Sequence, residues 1–162
     1  MPLIVSDTSP LNLLIRVGQV DVLPALFGRV VVPGAVAAEM AHPKAPEIVR
    51  AFIADLPAWS KIQSPAAPMA FPTLDAGESA AIALALELNS PLMIDERDGR
   101  DIARAHGISV IGAIGILERA ADMGLIADLA SVYAEIRTMR FHISGALLDE
   151  SLERHHRKRS PE

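Results

Sequence analysis

The 162-residue chain has no cysteine, which excludes a disulfide framework and a thiolate metal site alike. Lysine is almost absent: Lys44, Lys61 and Lys158 stand against twelve arginines. Phosphoacceptor-aspartate chemistry wants a lysine at a later strand end to neutralise the transferred phosphoryl group, and none of the three is so placed. No glycine follows the first predicted strand, so a phosphate-cradling loop is missing, as is the G-x-S-x-G elbow of a serine hydrolase. The five histidines (His42, His106, His142, His155 and His156) do not fall on a zinc-binding spacing. Apolar residues make up 51% of the chain, but their runs are short and broken by charge, so no membrane span is expected. No basic and then apolar leader opens the sequence, and a cytoplasmic location is the expectation. A net charge of −5 argues against tight nonspecific binding to a polyanion, but not against a phosphate substrate held through a metal ion.

What is present begins with Leu3-Ile-Val-Ser-Asp-Thr-Ser-Pro-Leu-Asn-Leu-Leu14. The apolar start predicts a buried strand turning directly into a helix, with Ser9 as N-cap and Pro10 at the first helical position. Asp7 then stands at the carboxyl end of a strand, where open α/β sheets bind their ligands. A turn or capping aspartate is the plain alternative. Val30-Val-Val32 reads as a strand buried on both faces, and Pro33 opens a helix over 34–40 carrying Glu39 as its one acid. That glutamate faces either inward or solvent. A helix is expected over 46–56, a short strand over 59–62, and then an irregular surface connection with three prolines in residues 63–73.

Asp75 with Glu78 three residues on predicts a capping box at the head of an alanine-rich helix reaching Leu88, which by itself accounts for Glu78. Pro91-Leu-Met-Ile94 is a second buried strand, and it ends in Asp95 as the first ends in Asp7. A helix follows, stopped by Gly107, with Asp98 as an expected helix-start cap. Ile108-Ser-Val-Ile111 is the next strand, and helices follow to Met123, over 126–139, and from Ser144 to about Arg157. Strands alternating with helices form a βαβ series, hence an α/β fold with a mostly parallel central sheet between helical layers. Residues 1–143 are expected to form the main body, and 144–162 a C-terminal helix and basic tail of the same domain. Arg154, Arg157, Lys158 and Arg159 crowd that tail, and the run 154–159 is either an RNA guide or a disordered end, disorder being the expectation.

Asp7, Glu39, Glu78 and Asp95 thus form an oxygen-only constellation. Carboxylates gathered in one pocket repel one another and stay ionised only if a cation joins them, and hard oxygen donors suit Mg²⁺ or Mn²⁺. Such a site activates water and stabilises both oxygens of a phosphodiester displacement. Ser6 and Thr8 could bond the Asp7 carboxylate, Asp98 could add a water-mediated ligand, and Arg97 and Arg100 could meet a phosphate. Turn hydroxyls, a helix cap and local salt bridges are their structural readings.

The motifs in order, Ser6-Asp7-Thr8-Ser9-Pro10, Val32-Pro33 with Glu39, Leu74-Asp75-Ala-Gly-Glu78, Ile94-Asp95-Glu96-Arg97 and Gly112-Ala-Ile-Gly115, resemble a PIN domain across nearly the whole chain. More narrowly, the chain is similar to the prokaryotic group that includes relatives of the VapC toxins. The resemblance implies a three-layer α/β/α sandwich and a Mg²⁺- or Mn²⁺-dependent endoribonuclease. It further implies an RNA substrate, a homodimer and, in toxin relatives, a small antitoxin partner. It puts the family's acids on Asp7, Glu39, Glu78 and Asp95. A catalytically degenerate PIN-like scaffold is the alternative expectation.

Overall fold

The computed structural model describes residues 2–159, in which five short strands form one all-parallel sheet flanked by helices. The chain divides into two compact units, the first ending at Gly112 and the second beginning at Ala113. In the first, β1 (Leu3–Ser6) passes into α1 (Thr8–Arg16), α2 (Val22–Phe27) and β2 (Arg29–Val32). Next come α3 (Gly34–Met40), α4 (Glu47–Ala54), β3 (Ser60–Ile62), α5 (Ala76–Leu88), β4 (Leu92–Met93), α6 (Arg97–Ala105) and β5 (Val110–Ile111). The strand order is β3-β2-β1-β4-β5, with Val5 paired to Val31 on one side and to Leu92 on the other. β1 is therefore central, which is why Ile4 and Val5 are completely buried and why its sequence is apolar rather than alternating. Val5, Val31, Leu92 and Ile94 pack with Ala81, Ile82, Leu84 and Ala85 of α5 and Ala103 of α6. The small alanines let α5 lie close on the sheet, so its first turn arrives beside the carboxyl end of β1.

Three expectations need correcting. α1 starts two residues earlier than expected: Asp7, not Ser9, is the N-cap residue, and Pro10 is the third helical residue. Pro10 is still tolerated there, since the amides of the first turn have no partner inside the helix. At α6 the cap is Glu96, whose Oε2 accepts from the Gly99 amide at 2.7 Å, while Asp98 is exposed in the first turn. Residues 154–159 are helical rather than disordered, and residues 160–162 of the expected tail lie outside the described residues.

The second unit is helical: α7 (Ala113–Asp122), α8 (Leu129–Thr138) and α9 (Gly145–Arg159). Its interior carries a polar network. Tyr133 Oη lies 2.7 Å from Ser151 Oγ, and Ser151 donates to Glu118 at 2.7 Å, all three residues being buried. Burial would raise the Glu118 pKa, but bonds from Arg154, Ser151 and Lys158 outweigh it and hold the carboxyl below its ordinary value. Arg154 and Lys158 are thus drawn back onto α7, and His155 pairs with Asp122 at 2.7 Å. The basic run 154–159 is helical, with Arg154, His155 and Lys158 tied to Glu118 and Asp122, which a reading of the run in isolation does not reveal. No helix among the described residues is long and apolar enough to cross a membrane. Ser151→Ala removes two buried hydrogen bonds and leaves Tyr133 Oη only Ile114 O at 3.4 Å and Glu118 Oε1 only Arg154; urea denaturation is expected to show a loss of about 1–3 kcal/mol.

Candidate active site

The carboxyl end of β1 collects acids from four elements of the first unit. Asp7 follows β1 and is held by its amide, which donates to Met93 O of the neighbouring strand at 2.9 Å. It is 4% exposed. Glu39 stands exposed on α3 at the rim of the group: its Oε2 accepts from Thr8 Oγ1 at 2.8 Å, and its Oε1 lies 2.5 Å from where a Cβ on Gly77 would stand. The bare glycine in the first turn of α5 is what admits that carboxylate. Asp75 and Glu78 close a reciprocal capping box, with Asp75 Oδ1 accepting from Glu78 N at 2.8 Å and Glu78 Oε1 from Asp75 N at 3.0 Å. Glu96, at the head of α6, turns its carboxylate to Glu78.

This crowding shows in the proton affinities. Burial raises the pKa of Asp7 to about 7, against the pull of the Thr8 amide and with the help of the Glu78, Asp75 and Glu39 charges. Glu78 is likewise raised to about 7, by burial, by the Asp75 and Glu96 charges and by hydrogen bonding with Glu96. Glu96 is held below its ordinary value, chiefly by the Gly99 amide, so the proton of that acid pair resides on Glu78.

Of the four acids singled out in the sequence, the structure gathers Asp7, Glu39 and Glu78. Asp95 lies one strand over, half-buried, its Oδ1 2.6 Å from where a Cβ on Gly112 would stand, with Arg100 Nη1 2.9 Å from that same point. Strand register explains the difference. Ser6 pairs with Met93, which sets Asp7 level with Ile94, so alternation along the chain gives Glu96, not Asp95, the parity of Asp7. Asp75 and Glu96 were missed as members of the cluster because each also caps a helix, a role that explains an acid locally. Ser6 donates to the backbone oxygen of Asp7 at 2.8 Å, and the Thr8 hydroxyl serves Glu39 and not Asp7. Arg100 donates to Ile94 O at 3.4 Å, while Arg97 and Asp98 face solvent.

The donor set, carboxylate oxygens only, fits a hard divalent cation, and the cradle at Gly77 keeps Glu39 within the group. Among the described residues, no three acids or histidines already converge on one point, so the donors share a neighbourhood without a closed cage. A raised carboxyl pKa has a definite sign for stability. Between pH 3.8, the ordinary value, and about 7, folded Asp7 keeps a proton that the unfolded chain has released. Its contribution to stability therefore falls as pH rises through that window and is lost above it. Asp7→Asn in EDTA at pH 8 is expected to stabilise the fold by about 1–3 kcal/mol, with the gain shrinking toward pH 4, as followed by thermal melting.

The description of a PIN domain (family DUF3368) matches residues 3–157. Among solved structures, a PilT N-terminus domain protein from the hyperthermophilic archaeon Sulfolobus solfataricus P2 superposes with a TM-score of 0.52 at 16% identity. That match covers 73% of this chain and 92% of the other, and at such identity it speaks for the fold alone. No curated protein matches the sequence. PIN domains are generally nucleases that depend on divalent metal ions. With its parallel sheet, its acids at the carboxyl end of β1 and a family match over almost its full length, the chain belongs to the PIN-domain family.

Proposed function

We propose that the protein is a Mg²⁺- or Mn²⁺-dependent endoribonuclease whose centre is the acid cluster around Asp7. The observation that carries this reading is a buried Asp7 pressed by the charges of Glu78, Asp75 and Glu39, an arrangement that costs stability unless a cation is bound. Asp7, Glu39 and Glu78 would hold the ion, with Asp95 as the further ligand that the family resemblance implies. When bound, the ion supplies an activated water and stabilises charge on the attacked phosphodiester. The chain's own groups do the positioning. Thr8 fixes one Glu39 oxygen, the capping box fixes Glu78, and Glu96 accepts the hydrogen bond of the Glu78 proton until that proton leaves. As in the VapC-like relatives, we assign it a toxin's role with a small antitoxin partner and a homodimeric state.

A second reading, a PIN-like scaffold without turnover, is favoured by one observation: the capping box with Asp75 gives Glu78 a structural role that needs no ion. Calorimetric titration with Mn²⁺ and cleavage of a labelled single-stranded RNA separate the two. The nuclease reading expects Mn²⁺ uptake and cleavage by the parent, and a loss of at least about 100-fold in rate for Asp7→Asn with an unchanged circular dichroism spectrum. Asp95→Asn is expected to behave similarly and Asp98→Asn to lose less; parent protein that takes up no Mn²⁺ and cuts nothing leaves the scaffold. Protons compete with the ion for Asp7 and Glu78, both titrating at about 7. At limiting Mn²⁺ the cleavage rate should therefore climb from pH 6 to 8, and the midpoint should move to lower pH as Mn²⁺ is raised.

A further inference from the structure

A nuclease centred on five carboxylates repels its own polyanionic substrate everywhere except at the bound ion, so local cations have to carry the flanking phosphates. Three of the chain's twelve arginines fall in α6, the helix that starts at the acid cluster. Arg97 immediately follows Glu96, whose carboxylate meets Glu78. Arg97, Arg100 and Arg104 stand at i, i+3 and i+7, one face of a helix. They span about 10 Å along its axis, short enough for neighbouring phosphates of one strand to meet all three. Arg100 is the inner member, partly buried and tethered to Ile94 O beside Asp95. Arg97 and Arg104 are exposed and, although Asp98 and Asp101 share the helix, neither makes an ion pair among the described residues. Guanidinium groups, unlike ammonium groups, grip phosphate through two parallel hydrogen bonds.

The far end of α6 supplies a second, different contact. His106, its exposed C-cap residue, meets Phe71 edge to face with ring centroids 5.7 Å apart. Phe71 in turn lines a groove of about 350 Å³ with Pro65, Pro68, Met69 and Leu74, and Asp75 of the acid cluster forms part of the same wall. The loop bearing this wall is fixed by Glu87, which accepts from the Ala66 amide at 2.9 Å, and by Ser79, which accepts from the Phe71 amide at 3.3 Å. An apolar, aromatic groove beginning at the acid cluster suits an unstacked base, as in other single-strand binding surfaces.

We propose that α6 is the backbone track for single-stranded RNA: Arg97, Arg100 and Arg104 hold consecutive phosphates beside the scissile one, and the Phe71 groove takes a base. The proposal rests on the nuclease reading for the position of the scissile phosphate. Its test is binding without turnover: fluorescence anisotropy of a labelled single-stranded RNA 12-mer with the full chain in EDTA, across a KCl series. Arg97→Gln/Arg104→Gln is expected to bind at least about tenfold more weakly at 100 mM salt, and the slope of log K against log [KCl] to shrink by about 1.4. Arg97→Lys/Arg104→Lys should recover most of the slope but less of the affinity. Arg29→Gln/Arg157→Gln, an equal change of charge at exposed positions off α6, should leave both unchanged. Equal binding by the parent and the α6 glutamine variant, or an equal loss in the Arg29/Arg157 control, overturns the track. Failure of the parent to cleave RNA with Mn²⁺ overturns the nuclease reading instead, since the anisotropy needs no cleavage.

Discussion

Like-charge crowding at the carboxyl edge of the parallel sheet is the constraint around which the first unit is arranged. Asp7 is desolvated, and the charges that bear on it, beyond the Thr8 amide, are those of Glu78, Asp75 and Glu39. What makes the arrangement tolerable in the absence of an ion is the convergence of helix N-termini. α1 begins at Thr8, α5 at Ala76 and α6 at Arg97, each directly after or beside one of the acids. The unpaired amides of a first turn carry partial positive charge, and three such ends bear on the same acids. Two of those acids, Asp75 and Glu96, spend their carboxylates on capping amides, so part of the negative charge is already neutralised by backbone.

The parallel topology is what permits this. In a parallel sheet every strand delivers its carboxyl end to the same edge, and every following helix presents its N-terminus there. β1 and β4 are neighbours in the sheet although residues 7–91 separate them in sequence, and helices α3 and α5 pack together between those strands in chain order. The acids are brought together by topology, and their charge is managed by the helices that the same topology requires.

Much of this was legible in the amino-acid order. Val30-Val-Val32 and Leu3-Ile-Val could only be buried strands, the capping box at Asp75 and Glu78 forms as its spacing dictates, and α3 occupies 34–40 as expected. What was not legible depended on register or on distant partners. Whether Asp95 or Glu96 faces the cluster turns on a one-residue offset between β1 and β4, which periodicity within either strand cannot supply. Whether Arg154 and Lys158 belong to a loose end or an ordered helix turns on Glu118 and Asp122, more than thirty residues away. Pro10 drew the helix start toward itself, whereas the chain tolerates proline anywhere in the first turn.

The borders of the sheet are both stubs. β5 has two residues and β3 has three, and β3 carries a solvent-facing lysine, Lys61, at its centre. A neighbouring polypeptide that tried to extend the sheet sideways would find only a few amides and carbonyls to engage, with an ammonium group among them. Lateral strand addition, the route to fibrillar stacking, is thereby disfavoured at both margins.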